Sequence, residues 1–192
     1  MDNVPDRGPF VIASNHISYV DALVLAHLLL DGKQPSLWLK MLSKAELFVK
    51  APMKWIMRGW GHIPVYREST QAGDALRDAY TAIDKGDTLG IFVEGTISLT
   101  LVPMAPHTGA ARIALKTGCP IIPVGIWGTH RSAGKYHKRD YVKHRPVTID
   151  IGEAMTFESG DVKEVSDEIM TEVVRNVEAA RDRYPDKAQP RD

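Results

Sequence analysis

The sequence predicts an α/β fold: a single domain with a mostly parallel or mixed sheet flanked by helices. Two observations lead there. Short apolar runs of strand length keep alternating with segments of helical period, the order that builds parallel strands joined by helical crossovers. Some of these runs are apolar throughout, as expected of strands covered on both faces. The 192 residues suffice for one domain with a sizeable core, and no shift in composition divides them. The domain is expected over residues 1–184, with 185–192 as a polar, frayed tail.

Phe10–Ala13 (FVIA), bounded by Gly8-Pro9, reads as the first buried strand. From Tyr19 to Leu30 the period turns helical, and Asp31-Gly32 supplies the stop. Leu37–Leu42 is a second strand. The helical stretch 45–58 contains Pro52, whose ring and missing N–H predict a kink or a division. His62–Tyr66 is strand-like, 70–84 is a polar helix ending at Gly86, and Thr88–Val93 is another apolar strand. Residues 109–116 are helical, Pro120–Trp127 is a fully buried strand, and Pro146–Ile151 alternates as a half-buried one. The last helix carries Val162, Val165, Ile169, Val173, Val177, Ala180 and Tyr184 at three-and-four spacing, which makes one continuous apolar face.

Composition narrows the function. Basic and acidic residues balance at 24 each, so no global field draws the chain to nucleic acid, and any basic surface is local. The single Cys119 closes no internal disulfide; it reads as a small buried apolar residue in a reducing, cytoplasmic compartment. The longest apolar run, 22–30, is interrupted by His27 and falls short of the ~20 residues that span a bilayer. The first ten residues lack the order of a signal peptide, and no Cys or His cluster has the spacing of a metal site.

Ligands in such folds gather where strands end and helices begin. The exit of the first strand is Ser14-Asn15-His16-Ile17-Ser18-Tyr19-Val20-Asp21. If Ser18 caps the following helix, Asp21 falls at its third position in a variant of the capping box, and His16 can fold its ring back toward that carboxylate. A carboxylate on one imidazole nitrogen fixes the tautomer and leaves the other nitrogen as a proton acceptor. Spacing alone also fits a plain helix cap beside a loop histidine.

A second strand exit, Ile91-Phe92-Val93-Glu94-Gly95-Thr96-Ile97-Ser98, turns through glycine into polar residues. Amides freed at such a turn can face an anion, with Thr96 and Ser98 adding hydroxyls; a plain Glu-Gly turn is the alternative. Glu94 is odd in an anion site unless it meets hydroxyls or neighbouring cations. Arg67, closing the Gly61–Tyr66 stretch, either grips a phosphate or is an isolated surface cation. Lys44 opens a helix, where a cation is mildly unfavourable, which suggests a functional reason.

Together these residues resemble the glycerol-3-phosphate and 1-acyl-glycerol-3-phosphate (lysophosphatidate) acyltransferase family, whose four ordered blocks span most of the chain. Asn15, His16 and Asp21 match the first block, and Gly61 and Arg67 the second. Phe92, Glu94, Gly95, Thr96 and Ser98 match the third, and Ile121-Ile122-Pro123-Val124-Gly125 the fourth. Lys44, Glu46 and Leu47 match a Lys-x-Glu-Leu element between the first two. Val93 stands where the family usually has proline, and Ile97 where it often has arginine.

The resemblance implies a glycerolipid acyltransferase-like fold and acyl transfer, with His16 as base and Asp21 orienting it. Asn15, Lys44, Arg67, Glu94, Gly95, Thr96 and Ser98 are the implied substrate contacts. The implied partners are a lysophospholipid acceptor and an acyl-CoA or acyl carrier protein thioester, with no metal and no other cofactor. Peripheral association with the inner face of the cell membrane follows from the lipid acceptor. Family members commonly carry hydrophobic helices before the first block, and only fifteen residues precede His16, which implies weaker attachment or a truncated N-terminus. Residues 47–60 mix large apolar residues with cations as interfacial helices do, and residues 135–145 pack five cations against one acid; both are candidate lipid or donor contacts. Two rivals stay open: a hydrolase, for which no Gly-x-Ser-x-Gly elbow is present, and a silent lipid-binding module.

Overall fold

The computed structural model describes residues 3–31, 39–66, 72–133 and 146–185. In chain order the elements are β1 (Val11–Ser14), α1 (Asp21–Asp31), β2 (Leu39–Lys44), a 3-10 turn (Ala45–Phe48), α2 (Met53–Gly59), β3 (Ile63–Val65), α3 (Ala72–Asp84) and β4 (Thr88–Phe92). They continue with α4 (Gly109–Thr117), β5 (Ile121–Trp127), α5 (His130–Ala133), β6 (Thr148–Ile151) and α6 (Val162–Asp182). The strands form one sheet in the order β3-β2-β4-β1-β5-β6. Every pairing is parallel except that of β5 with the edge strand β6, so the expected mostly parallel or mixed sheet is a mixed one.

The core explains why the runs are apolar throughout. Val11, Ile12 and Ala13 of β1 and Ile121, Ile122, Val124 and Ile126 of β5 are all inaccessible, because both faces of the central strands are covered. The crossover from β1 to β2 runs one way across the sheet, and those from β3 to β4 and from β4 to β5 run the other way. Right-handed crossovers therefore put α1 on one face and α3 and α4 on the other, where α4 also meets α6.

Along β5 lies α6, so close that a side chain at Gly125 would strike the Asn176 backbone. Its apolar stripe is the one the spacing predicts, with Val165, Ile169, Val173, Val177 and Ala180 buried and Tyr184 packed just past its end. Asn176 sits in that stripe because its amide donates to the Pro123 carbonyl at 2.9 Å.

Differences from the sequence reading are local. Stretch 45–58 is divided, one of the two outcomes expected of Pro52: the 3-10 turn stops at Phe48, and α2 starts immediately after Pro52, which disfavours helical geometry in the residue before it. The four-residue α5 is too short to leave a periodic signal. Arg67 and the basic segment 135–145 lie outside the described residues.

Candidate active site

The strands β1 and β4 are neighbours, and their crossovers leave in opposite directions. The crevice beyond their carboxyl ends is therefore a topological switch point, the usual ligand site of open α/β sheets. His16 and Glu94 stand there, each two residues past its strand.

Asn15 sets the direction in which the chain leaves β1. Its side-chain oxygen accepts the Ile126 N–H at 2.8 Å and its amide donates to the Ile126 carbonyl at 3.0 Å, so the side chain continues the β1–β5 ladder as a strand residue would. Next in the chain, His16 is held on four sides. Its N–H donates to Glu94 Oε1 at 3.0 Å, and its carbonyl accepts the Ser98 N–H at 2.7 Å. The ring stacks on Phe92 with centroids 3.8 Å apart and planes within 5°. Nδ1 lies 2.9 Å from Asp21 Oδ2.

Asp21 is fully buried and surrounded by donors. Oδ2 accepts the Ile17 and Ser18 N–H groups at 2.7 and 2.8 Å, the second being the return bond of the predicted capping box. Oδ1 accepts the Thr129 hydroxyl at 2.6 Å. An ionised carboxylate satisfies all of these groups only as an acceptor, so the histidine carries its proton on Nδ1. That leaves the Nε2 lone pair out of the Asp21 contact, and 17% of the His16 side chain is accessible. The geometry is that of the His–Asp half of a triad, without a serine.

Glu94 resolves its own oddity. It is buried, and its second oxygen accepts the Met104 N–H at 3.0 Å, so the carboxylate ties the β1 exit to the loop after β4. Burial pushes its carboxyl above the usual glutamate range, opposed by the Met104 and His16 amides. Ser98 is likewise committed, its hydroxyl donating to the Val102 carbonyl at 2.7 Å. Gly95, at φ +64, makes the turn between them, a conformation that favours glycine. Thr96 follows, half-buried, on the same turn.

Residues 1–127 of the chain match the Acyltransferase family. The chain belongs to that family. It is 33% identical over 133 residues to the 1-acyl-sn-glycerol-3-phosphate acyltransferase BAT2, chloroplastic, of Brassica napus, which covers 67% of this chain and 36% of that protein. It is 28% identical over 157 residues to the 1-acyl-sn-glycerol-3-phosphate acyltransferase of Bacillus subtilis (strain 168), which covers 80% of this chain and 70% of that one. The crystal structure of the 1-acyl-sn-glycerophosphate (LPA) acyltransferase PlsC from Thermotoga maritima superposes with a TM-score of 0.73 at 27% identity, over 96% of this chain and 71% of that one. The chain thus spans about a third of the length of the chloroplast relatives it matches.

Within this family member the two unusual positions of the third block have physical accounts. The Val93 N–H donates to the Ser14 carbonyl at 3.0 Å, prolonging the β1–β4 ladder with a bond that proline cannot make. The Ile97 side chain is buried, so this position offers no cation to an anionic group.

Lys44 is exposed at the end of β2. Continued from Leu39↔Thr88, the register sets it level with Val93, with β4 between it and β1. At strand spacings of about 4.8 Å that is roughly 10 Å from the β1 axis, within reach of a substrate spanning the crevice. Thr129, which donates to Asp21 from the exit of β5, is a residue of the candidate site that the motifs did not point to. Its only signal was a third strand exit, Trp127-Gly128-Thr129, at the same end of the sheet.

Proposed function

We propose that the chain moves a fatty acyl group from an acyl-CoA or acyl carrier protein thioester to the free hydroxyl of 1-acyl-glycerol-3-phosphate, giving phosphatidic acid for phospholipid biosynthesis. The observation that carries this reading is the His16–Asp21 pair at the switch point, with Nδ1 occupied by the carboxylate and the imidazole side chain partly accessible. The relatives named for lysophosphatidate acylation support the choice of acceptor.

In this mechanism His16 Nε2 removes the acceptor's hydroxyl proton as the oxygen attacks the thioester carbonyl carbon. The tetrahedral intermediate collapses, the C–S bond breaks, and the departing thiolate takes the proton back from Nε2. Asp21 stabilises the imidazolium that exists between the two transfers. Lys44, or amides of the turn at Gly95 and Thr96, stabilise the oxyanion, and Lys44, Arg67 and that turn meet the acceptor phosphate. Asn15, Glu94 and Ser98 serve by fixing His16. The chemistry asks for no cofactor beyond the thioester. Among the described residues no helix is long and apolar enough to cross a membrane, and we place the chain peripherally on the inner face of the cell membrane.

The test is purified protein with a panel of lysolipids and acyl thioesters, the products identified by mass spectrometry. Phosphatidic acid formed only when lysophosphatidate is present is the expected result. Thioester consumed to free fatty acid regardless of lysolipid would make the chain a hydrolase, and no thioester consumption at all would make it a binding module. Preference for a lysolipid with a less anionic head would follow from the buried Ile97 and would change the acceptor alone.

A further inference from the structure

The excursion between β2 and β3 hides little of its apolar surface. Phe48 and Met57 turn inward, but Val49 and Trp55 are each 69% accessible, and Met53, Ile56 and Trp60 are exposed as well. Met53, Ile56, Met57 and Trp60 share one helical face by their i, i+3, i+4, i+7 spacing, yet only Met57 reaches the core. A helix face of this kind normally packs against a neighbour; here it is left outside.

Charge decides what covers it. Lys50, Lys54 and Arg58 belong to the same stretch, and no acid occurs from residue 47 to residue 66. Lys54 reaches over the Trp55 ring, 5.6 Å from its centroid, so cation and aromatic present together. The chain as a whole is formally neutral, which makes this concentration of positive charge local rather than general. Exposed tryptophans, aliphatic side chains and unopposed cations on one short amphipathic stretch suit the boundary between headgroups and acyl chains of an anionic bilayer.

A second apolar projection stands nearby. The loop following β4 exposes Leu99 and Val102, the latter 62% accessible, although Ser98 and Glu94 hold that loop to the protein interior. It leaves the same end of the sheet as the excursion leaves from β2, the strand next to β4, and Ser98 touches the His16 backbone.

We propose that residues 49–60 are the surface by which the protein docks on an anionic bilayer, with the 99–102 loop as the apolar tip nearest His16. Binding then has an electrostatic part, weakened by salt, and an apolar part that salt leaves in place. The docking surface goes beyond the acyl-transfer reading, and its main readout requires no chemistry.

Flotation with vesicles of phosphatidylcholine alone, or containing phosphatidylglycerol, tests it. The wild-type chain should float with the anionic vesicles, less so in high salt, with a blue-shifted tryptophan emission. Val49→Ser/Trp55→Ser/Ile56→Ser should weaken partitioning more than about tenfold, and Lys50→Glu/Arg58→Glu at least about fivefold per cation removed. Both sets alter exposed side chains, so unchanged circular dichroism is expected, and each serves if the other misfolds. Turnover of a monomeric short-chain acceptor should be unaffected while turnover of vesicle-embedded acceptor falls. Vesicle binding equal to wild type in both variants overturns the proposal. So does a wild-type chain that ignores vesicles but self-associates through this face. If no form turns over any acceptor, the acyl-transfer reading fails while flotation still decides the docking surface.

Discussion

Thr129 donates its hydroxyl to Asp21 Oδ1 at 2.6 Å, taking the carboxylate oxygen that His16 does not use. The bond joins the exit of β5 to the start of α1 inside the core. Thr129→Val leaves that oxygen buried without a partner, which should cost about 1–3 kcal/mol in urea unfolding. A tilted carboxylate mis-aims His16, so kcat should fall on the order of tenfold to a hundredfold with KM little changed. Thr129→Ser, which keeps the donor, should restore most of it.

Replacing His16 itself removes the proposed base. His16→Ala should lower turnover by about 10²–10⁴ while circular dichroism stays that of the wild type. Substantial turnover in the purified variant would exclude His16 as the base.

Asp21→Asn should be milder than removing the side chain. Oδ2 already accepts two backbone amides, so the asparagine carbonyl is expected at that position, with its NH2 toward Thr129, whose hydroxyl can turn to accept it. The His16 tautomer then survives and only the stabilising charge is lost. Turnover should fall by roughly 10²–10³, and Asp21→Ala should fall further and lose stability. Equal rates for the two variants would contradict this geometry.

Glu94, buried, and His62, half-buried, give opposite responses to pH. Burial raises the Glu94 carboxyl above its usual 4.5, so the folded chain holds this proton more tightly than the unfolded chain does. That contribution is complete below 4.5 and is lost as pH rises through the folded value. Relative to Glu94→Gln, the wild type should therefore lose urea-unfolding stability as pH rises above 4.5.

His62 runs the other way. Its Nδ1 accepts the Met41 N–H at 3.0 Å, and burial holds the imidazole below its usual 6.5. The unfolded chain takes up the proton first, so stability present above 6.5 is lost as pH falls toward the folded value. His62→Asn keeps an acceptor for Met41 and should remove this acid loss, visible as a flatter dependence of the urea midpoint on pH.

The sheet was legible in the sequence because its central strands are covered on both faces and so are apolar at every position, as in Val11–Ala13 and 121–126. The His16–Asp21 contact was legible because it is made within five residues, and the capping geometry that brings it about is local. Contacts that cross the sheet left no such mark. Asn15 meets Ile126 across 111 positions and Thr129 meets Asp21 across 108, separations that no periodicity encodes. Glu94 looked misplaced in an anion site because its partners, the His16 and Met104 amides, belong to two other segments.

None of the four contacts that hold His16 comes from β2, β3 or the excursion between them; they come from the end and exit of β4 and the start of α1. The proposed proton-transfer unit and the outer rim are therefore separable parts. Residues 45–62 exchanged for the equivalent stretch of a relative should retune which lipid surface the protein visits, without rebuilding the catalyst. Over evolutionary time such a division would let the proposed reaction be redeployed among different membranes by change at the edge of the sheet alone.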